Sequence, residues 1–154
     1  MIRRARTDDI KAIHAILQHF ASQELLLGRP LSSLYDQLRD FVVYEDPARK
    51  DEGIIGAAAL HVCWEDLAEI RSLAVVEGEH SKGVGRALVQ ACLDEMTELG
   101  VARVFTLTYQ PEFFAKMGFR SIDKNELPHK VWSDCIHCPK FPDCSEEAMI
   151  LEID

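Results

Sequence analysis

A chain of 154 residues has room for one domain around a single core. Its residues are 47% apolar and 28% charged, the balance of a water-soluble globular protein. A net charge of −9 argues against non-specific nucleic-acid binding, which needs clustered positive charge. No apolar run is long enough to span a membrane. Met1 to Asp9 carries charge without an apolar run behind it, so it is not a secretory signal, and a cytoplasmic location is expected. In that compartment the five cysteines read as thiols or metal ligands before disulfides.

Ile2 to Arg6 reads as a first strand, and the Arg3-Arg4-Arg6 cluster as its solvated charges. Thr7 is the expected helix N-cap, with Asp8 and Asp9 in the first turn. Ile10, Ile13, Leu17 and Phe20 recur behind it at helical spacing. A second helix is expected from Ser32 to Arg39, with Leu31, Leu34, Tyr35 and Leu38 as its apolar face. Phe41 to Glu45 reads as a strand, followed by the turn signals Asp46-Pro47 and Asp51-Glu52-Gly53. Ile54 to Trp64 is a long strand, and Glu65-Asp66 connects it to an antiparallel strand from Leu67 to Val76.

A helix from Val84 to Leu99 places Val84, Leu88, Ala91, Cys92 and Leu99 on one face, with Gly100 just past its end. Arg103 to Thr108 is a strand, Pro111 opens a short helix ending at Gly118, and Phe119 to Ile122 is a strand. Ala148 to Ile153 is a last strand. This order predicts a mixed α/β fold with antiparallel strands first and a βαβ crossover later. Residues 1–154 read as a single domain, with an irregular cysteine-containing segment at about 124–147.

The connection into the long helix concentrates the chemistry. Leu73-Ala74-Val75-Val76 runs into Glu77-Gly78-Glu79-His80-Ser81-Lys82-Gly83-Val84-Gly85-Arg86. Glycines at a helix N-terminus admit a ligand close to the backbone, and the unpaired N–H groups with the positive dipole end favour an anion such as pyrophosphate. In an acidic chain, Lys82, Arg86 and that helix end would supply the local positive potential.

His80-Ser81-Lys82-Gly83-Val84-Gly85 resembles the Gln/Arg-x-x-Gly-x-Gly/Ala loop of the GNAT acetyltransferases, with His80 at the first position and Ser81 where the loop often has glycine. Phe113-Phe114-Ala115-Lys116-Met117-Gly118-Phe119 resembles the family's Tyr-x-x-x-Gly-Phe ending. Ala68 to Val75, Phe105 to Phe114, Leu127 to Trp132 and Cys135 to Cys144 further resemble the short stand-alone N-acetylglutamate synthases of bacterial arginine biosynthesis. The resemblance covers nearly the whole chain.

It implies the GNAT fold, a mixed, mostly antiparallel twisted sheet flanked by helices. It also implies acetyl-CoA as cosubstrate, at Leu73, Val75, His80, Ser81, Lys82, Gly83, Val84, Gly85, Arg86, Phe113 and Phe114. The implied reaction is acetyl transfer to the α-amine of L-glutamate. Neither nucleic acid nor membrane is an expected partner, and because this fold often pairs, a homodimer stays open. The other readings are acetylation of a different small amine and, from another class, a non-catalytic acetyl-CoA or metal sensor.

Acetyl transfer needs a neutral amine, a polarised thioester carbonyl and a tolerable thiolate leaving group. An α-amine of pKa near 8 is only about 10% neutral at pH 7, so a general base is useful. Glu69 is the candidate base, acting through a water; its alternative is a solvated carboxylate paired with Arg71. With regular alternation Glu69, Arg71, Leu73 and Val75 share one strand face, a parity that a bulge would break.

The backbone at Val75 is the expected polarising contact for the thioester. Phe114 stands where many family members carry the tyrosine that protonates the thiolate. Tyr109, five residues earlier, is the candidate replacement, with packing as its alternative. Carboxylates are bound bidentately by arginine, so Arg71 and Arg29 are candidate glutamate readers, with Lys130 as a third; the alternative for each is a surface charge.

Cys135-x-x-Cys138-x5-Cys144 matches half of many zinc sites. The usual second ligand pair is missing, with His137 and His129 as the fourth-ligand candidates. The favoured reading is reduced, partly buried thiols, and no metal is assigned. Cys63 and Cys92 read as small core residues.

Overall fold

The computed structural model describes residues 1–22, 30–46, 53–76, 83–127 and 147–153. Seven strands are present among them: β1 (Ile2–Arg4), β2 (Phe41–Glu45), β3 (Ile54–Trp64), β4 (Leu67–Val75), β5 (Arg103–Thr108), β6 (Arg120–Ile122) and β7 (Glu147–Glu152). They form one mixed sheet in the order β1-β2-β3-β4-β5-β7-β6. Four helices flank it: α1 (Ile10–Ser22), α2 (Leu31–Asp36), α3 (Val84–Leu99) and α4 (Pro111–Lys116). Pairing is antiparallel for β1 with β2, β2 with β3, β5 with β7 and β6 with β7, and parallel for β4 with β5 across the α3 crossover. This is the mixed, mostly antiparallel sheet that the order of elements predicts. Strands β3 and β4 each contribute to two compact units.

The first unit comprises Met1–His61 and Ile70–Glu95. The helical period of α1 buries Ile10, Ile13, Ile16 and Leu17 against Leu34 of α2, Phe41 and Val43 of β2, Ala57 and Ala59 of β3 and Ala74 of β4. Alternation turns Gly56 to the other side of β3. A Cβ there would stand 2.9 Å from Leu88 Cδ1 and Val84 Cγ1 and 3.3 Å from the Ala74 carbonyl oxygen. Helix α3 therefore packs on the face of β3 opposite α1 and α2, and glycine at 56 is what lets its first turn approach.

The entry to α1 differs from the expected Thr7 cap. Thr7–Asp9 form a 3-10 turn ahead of the helix, and Asp9 supplies the capping oxygen. Its carboxylate accepts from the Arg6 backbone N–H at 2.7 Å and from Arg3 Nη1 and Nη2 at 2.7 and 3.0 Å. Burial alone would raise the pKa of the Asp9 carboxyl. The hydrogen bonds from Arg3 and from the Arg6 backbone, with the Arg3 charge, outweigh it and hold Asp9 below the usual carboxylate value.

Arg3 also donates from Nε to Glu45 Oε2 at 2.6 Å. Arg3 thus departs from the solvated-strand reading of the arginine cluster, because a buried carboxylate needs a compensating charge. Arg4 and Arg6 do stay mostly exposed. Helix α2 is shorter than expected and is followed by a 3-10 turn at Leu38–Asp40. Leu34 is its buried anchor, while Leu31 and Tyr35 are exposed.

The second unit comprises Val62–Glu69 and Met96–Asp154. Leu67 of β4, Phe105 of β5, Leu127, and Ala148 and Ile150 of β7 form its core, with Cys63, Leu107 and Ile122 packed against them. The register sets Phe105 opposite Ile150 and Leu107 opposite Ala148, so one sheet face carries this cluster. Met96 fills the buried position at the end of α3 that was expected of Leu99, which is exposed. Of the segment expected to be irregular, Lys124–Glu126 form a 3-10 turn capped by the Asp123 carboxylate, and residues 128–146 lie outside the described residues.

Candidate active site

The N-terminus of α3 has the features that an anion site needs. Gly83 sits at φ +73°, a left-handed backbone that a Cβ would strain, and no described atom lies within 4 Å of where that Cβ would stand. The first helical hydrogen bond runs from Ala87 N–H to the Gly83 carbonyl at 3.0 Å. The N–H groups of Val84, Gly85 and Arg86 consequently lie outside the helical ladder. Val84 is fully buried, so what it offers a ligand is its backbone N–H, whereas Arg86 is exposed. Unladdered donors, open space over a glycine and the positive end of a 16-residue helix fit the pyrophosphate of coenzyme A.

Strand β4 changes character along its length. Leu67 to Glu69 pair with Arg103 to Phe105 of β5, and the ladder between these strands stops at the Glu69–Phe105 pair, with six residues of β4 still to run. Ser72 lies at φ 58°, the one non-glycine residue with a left-handed backbone among those described. Such a residue inside a strand is a bulge. The expectation that Glu69, Arg71, Leu73 and Val75 share one face therefore fails. Ala68 and Ile70 are buried on one side of half-buried Glu69, then Arg71, Ser72 and Leu73 are half-buried in a row, then Ala74 and Val75 are both buried.

Beyond the bulge the backbone has a defined polarity. Val76 N–H donates to the Ile55 carbonyl of β3 at 2.8 Å. N–H directions alternate along a strand, so Val75 N–H points away from β3. The Ala74 carbonyl oxygen of β4 and the Val84 side chain of α3 both border the space over Gly56, so one packing point serves β4 and the first turn of α3.

In the second unit, half-buried Tyr109 follows the end of β5. Phe114 is buried, edge-on to Phe119 with centroids 5.2 Å apart and to Phe113 at 5.1 Å. Its ring is a packing element of the α4 turn, and half-buried Phe113 is the more accessible of the pair.

The first unit thus gathers Arg71, Leu73, Val75, Gly83, Val84, Gly85 and Arg86, and the second holds Glu69, Tyr109, Phe113 and Phe114. Arg29, His80, Ser81, Lys82 and Lys130 lie outside the described residues, as do Cys135, Cys138 and Cys144 with His129 and His137. Among the described residues no group of three or more His, Cys, Asp or Glu is placed to hold a metal ion, and no helix is long and apolar enough to cross a membrane. Cys92 is a buried core thiol, pushed up to about 12 by burial and by Glu95.

Sequence reasoning missed one polar pair. His61 Nδ1 and Asp40 Oδ2 are 2.9 Å apart, joining β3 to the 3-10 turn before β2. The alternation Ala57, Ala59, His61 places the histidine on the α1–α2 face, but nothing in the sequence points to Asp40 as its partner.

The family model described as the acetyltransferase (GNAT) family matches residues 10–119. An N-acetyltransferase of Chlorobaculum tepidum, itself described as uncharacterized, is 39% identical over 97% of this chain and 94% of its own. The amino-acid acetyltransferase of Mycobacterium tuberculosis is 37% identical over 87% of this chain and 76% of its own. Among solved structures, N-acetylglutamate synthase from Neisseria gonorrhoeae, complexed with coenzyme A and N-acetyl-glutamate, superposes with a TM-score of 0.88 at 27% identity. That match covers 100% of this chain and 35% of the Neisseria chain.

Proposed function

The chain belongs to the GNAT acetyltransferase family, and from that membership we propose that it transfers the acetyl group of acetyl-CoA to the α-amine of L-glutamate, the opening reaction of arginine biosynthesis. The observation that carries the reading is the parting of β4 from β5 at Glu69, beside a strand that bulges at Ser72 and ends against the α3 anion site. The choice of glutamate is supported by the amino-acid acetyltransferase relative and by the Neisseria neighbour.

The cosubstrate supplies an acyl thioester. The N–H groups of Val84, Gly85 and Arg86 hold its pyrophosphate over Gly83, with Lys82 and the Arg86 guanidinium adding positive potential. Val75 N–H donates to the thioester carbonyl, where negative charge grows as the amine attacks. Glu69 takes the amine proton through a water. Arg71 pairs with a glutamate carboxylate, aided by Arg29 and Lys130. Tyr109 donates to the departing thiolate.

The test is a thiol-release assay with acetyl-CoA across glutamate, aspartate, polyamines and peptides with free N-termini. Glutamate is expected to be the preferred acceptor. Turnover with glutamate no faster than with the others would end the glutamate reading.

A further inference from the structure

We propose that one end of the second unit, marked by Val62, Trp64, Leu99 and Ile153, docks a basic amphipathic segment of a partner protein. The inference is independent of which amine the enzyme acetylates. Val62 and Trp64 lie at the end of β3, and Trp64 is 69% exposed. Cys63 between them packs against the cluster that holds Leu67, Phe105 and Ile150. Alternation therefore turns Val62 and Trp64 to the opposite face of the sheet. Ile153 joins them on that face. Its N–H donates to the Ala102 carbonyl at 2.8 Å, which extends the β5–β7 pairing by one residue. Ala148 and Ile150 belong to the cluster, so Ile153, an odd number of residues further on, faces away from it.

The pairing puts these side chains at the same end of the sheet. Arg103 of β5 stands opposite Leu67 of β4 on one side and Glu152 of β7 on the other, so the three form one row. Trp64 lies just across the Glu65-Asp66 turn from Leu67, and Ile153 follows Glu152. Leu99 is 56% exposed at the end of α3, and Gly100 at φ +80° turns the chain from there towards Ala102. Seven large apolar side chains are exposed among the described residues, and four of them gather here. Scattered singly they would need no explanation; gathered beside a tryptophan they mark a surface for another molecule to cover.

Charge selects the occupant. Glu65 and Glu98 are exposed at this end, as are Asp66, 3.3 Å from Arg103, and Glu152, paired with Arg120. Among the described residues there, four carboxylates thus stand against two guanidiniums, so the rim of the patch is acidic. A second copy of the chain would bring two acidic rims together, and an anionic lipid surface would be repelled in the same way. A segment with lysines or arginines flanking an apolar face complements both the rim and the patch.

The experiment is a calorimetric titration of the full chain with a synthetic amphipathic helix of leucine and lysine. A peptide of the same composition, scrambled so that it has no apolar face, is the control for charge alone. The amphipathic peptide is expected to bind at least about tenfold more tightly than the scrambled one. Trp64→Ser should weaken it by about tenfold or more, and so should the double change Glu65→Lys with Glu98→Lys. Acetyl transfer should be unchanged in both variants, which shows that they are folded. Equal affinity for the two peptides, or Trp64→Ser binding as wild type does, would overturn the proposal. So would binding to phosphatidylserine vesicles that Trp64→Ser abolishes, which would make the patch a lipid surface. A dimer in sedimentation that Trp64→Ser breaks would assign it to a second copy and overturn the proposal equally.

Discussion

At the scale of single residues, chemical type was readable from the chain and environment was not. Arg71 was a candidate from its place on the strand beside the glycine loop, and it is half-buried on β4 just ahead of the bulge. Arg71→Ala is expected to raise the glutamate KM by roughly 10- to 100-fold, the worth of one charge-assisted bidentate contact, with acetyl-CoA KM nearly unchanged. Steady-state kinetics in both substrates checks this, and an unmoved glutamate KM removes Arg71 from the site. Cys92 gives a second expectation. Its thiol is fully buried and pushed up to about 12, so iodoacetamide at neutral pH should leave it unmodified in the native protein and alkylate it in denaturant. Peptide mass mapping reads the result; native-state labelling of Cys92 would contradict its burial. The Asp40–His61 pair shows the limit of residue-level reading, since a contact between positions 40 and 61 has no local signature.

At the scale of elements, hydrophobic period and turn chemistry placed most strands and helices within a residue or two. Helix α3 was legible because an apolar stripe recurs between glycines at 83 and 100, and the long β3 because turn residues at Asp51-Glu52-Gly53 and Glu65-Asp66 bound an apolar run that opens on β-branched Ile54 and Ile55. The bulge at Ser72 was not legible. Serine carries no preference for a left-handed backbone, so nothing in the chain marks position 72. Gly56 likewise gave no signal as a packing point. Gly56→Val should force Val84 and Leu88 away, destabilise the protein by about 1–3 kcal/mol through overpacking, and weaken acetyl-CoA binding by moving the α3 N-terminus. Urea unfolding and calorimetric titration with coenzyme A test the two parts; unchanged binding would separate the anion site from this contact.

At the scale of the whole molecule, stability at low pH should depend on Asp9. Its folded pKa lies below the ordinary value of 3.8, so its contribution is fully present above that value and disappears as the pH falls through the lower, folded one. Asp9→Asn should therefore be less stable than wild type at pH 7 by about 1–3 kcal/mol, with the gap closing below pH 4 as the wild-type carboxylate is protonated. Urea melts of both proteins at pH 7 and pH 3 decide it; a gap that stays constant would place the effect in packing and not in charge. The sequence by itself determined the order of elements, the glycine-led entry to α3 and the family, because periodicity, turn residues and short spacings are local properties of a chain. The tertiary structure alone decided where β4 leaves β5, which way Val75 N–H points, and that Arg3 and His61 each hold an aspartate. Those features arise where groups from different elements meet at a distance of a few ångströms, and the balance of burial against hydrogen bonding that fixes them exists only once the chain is folded.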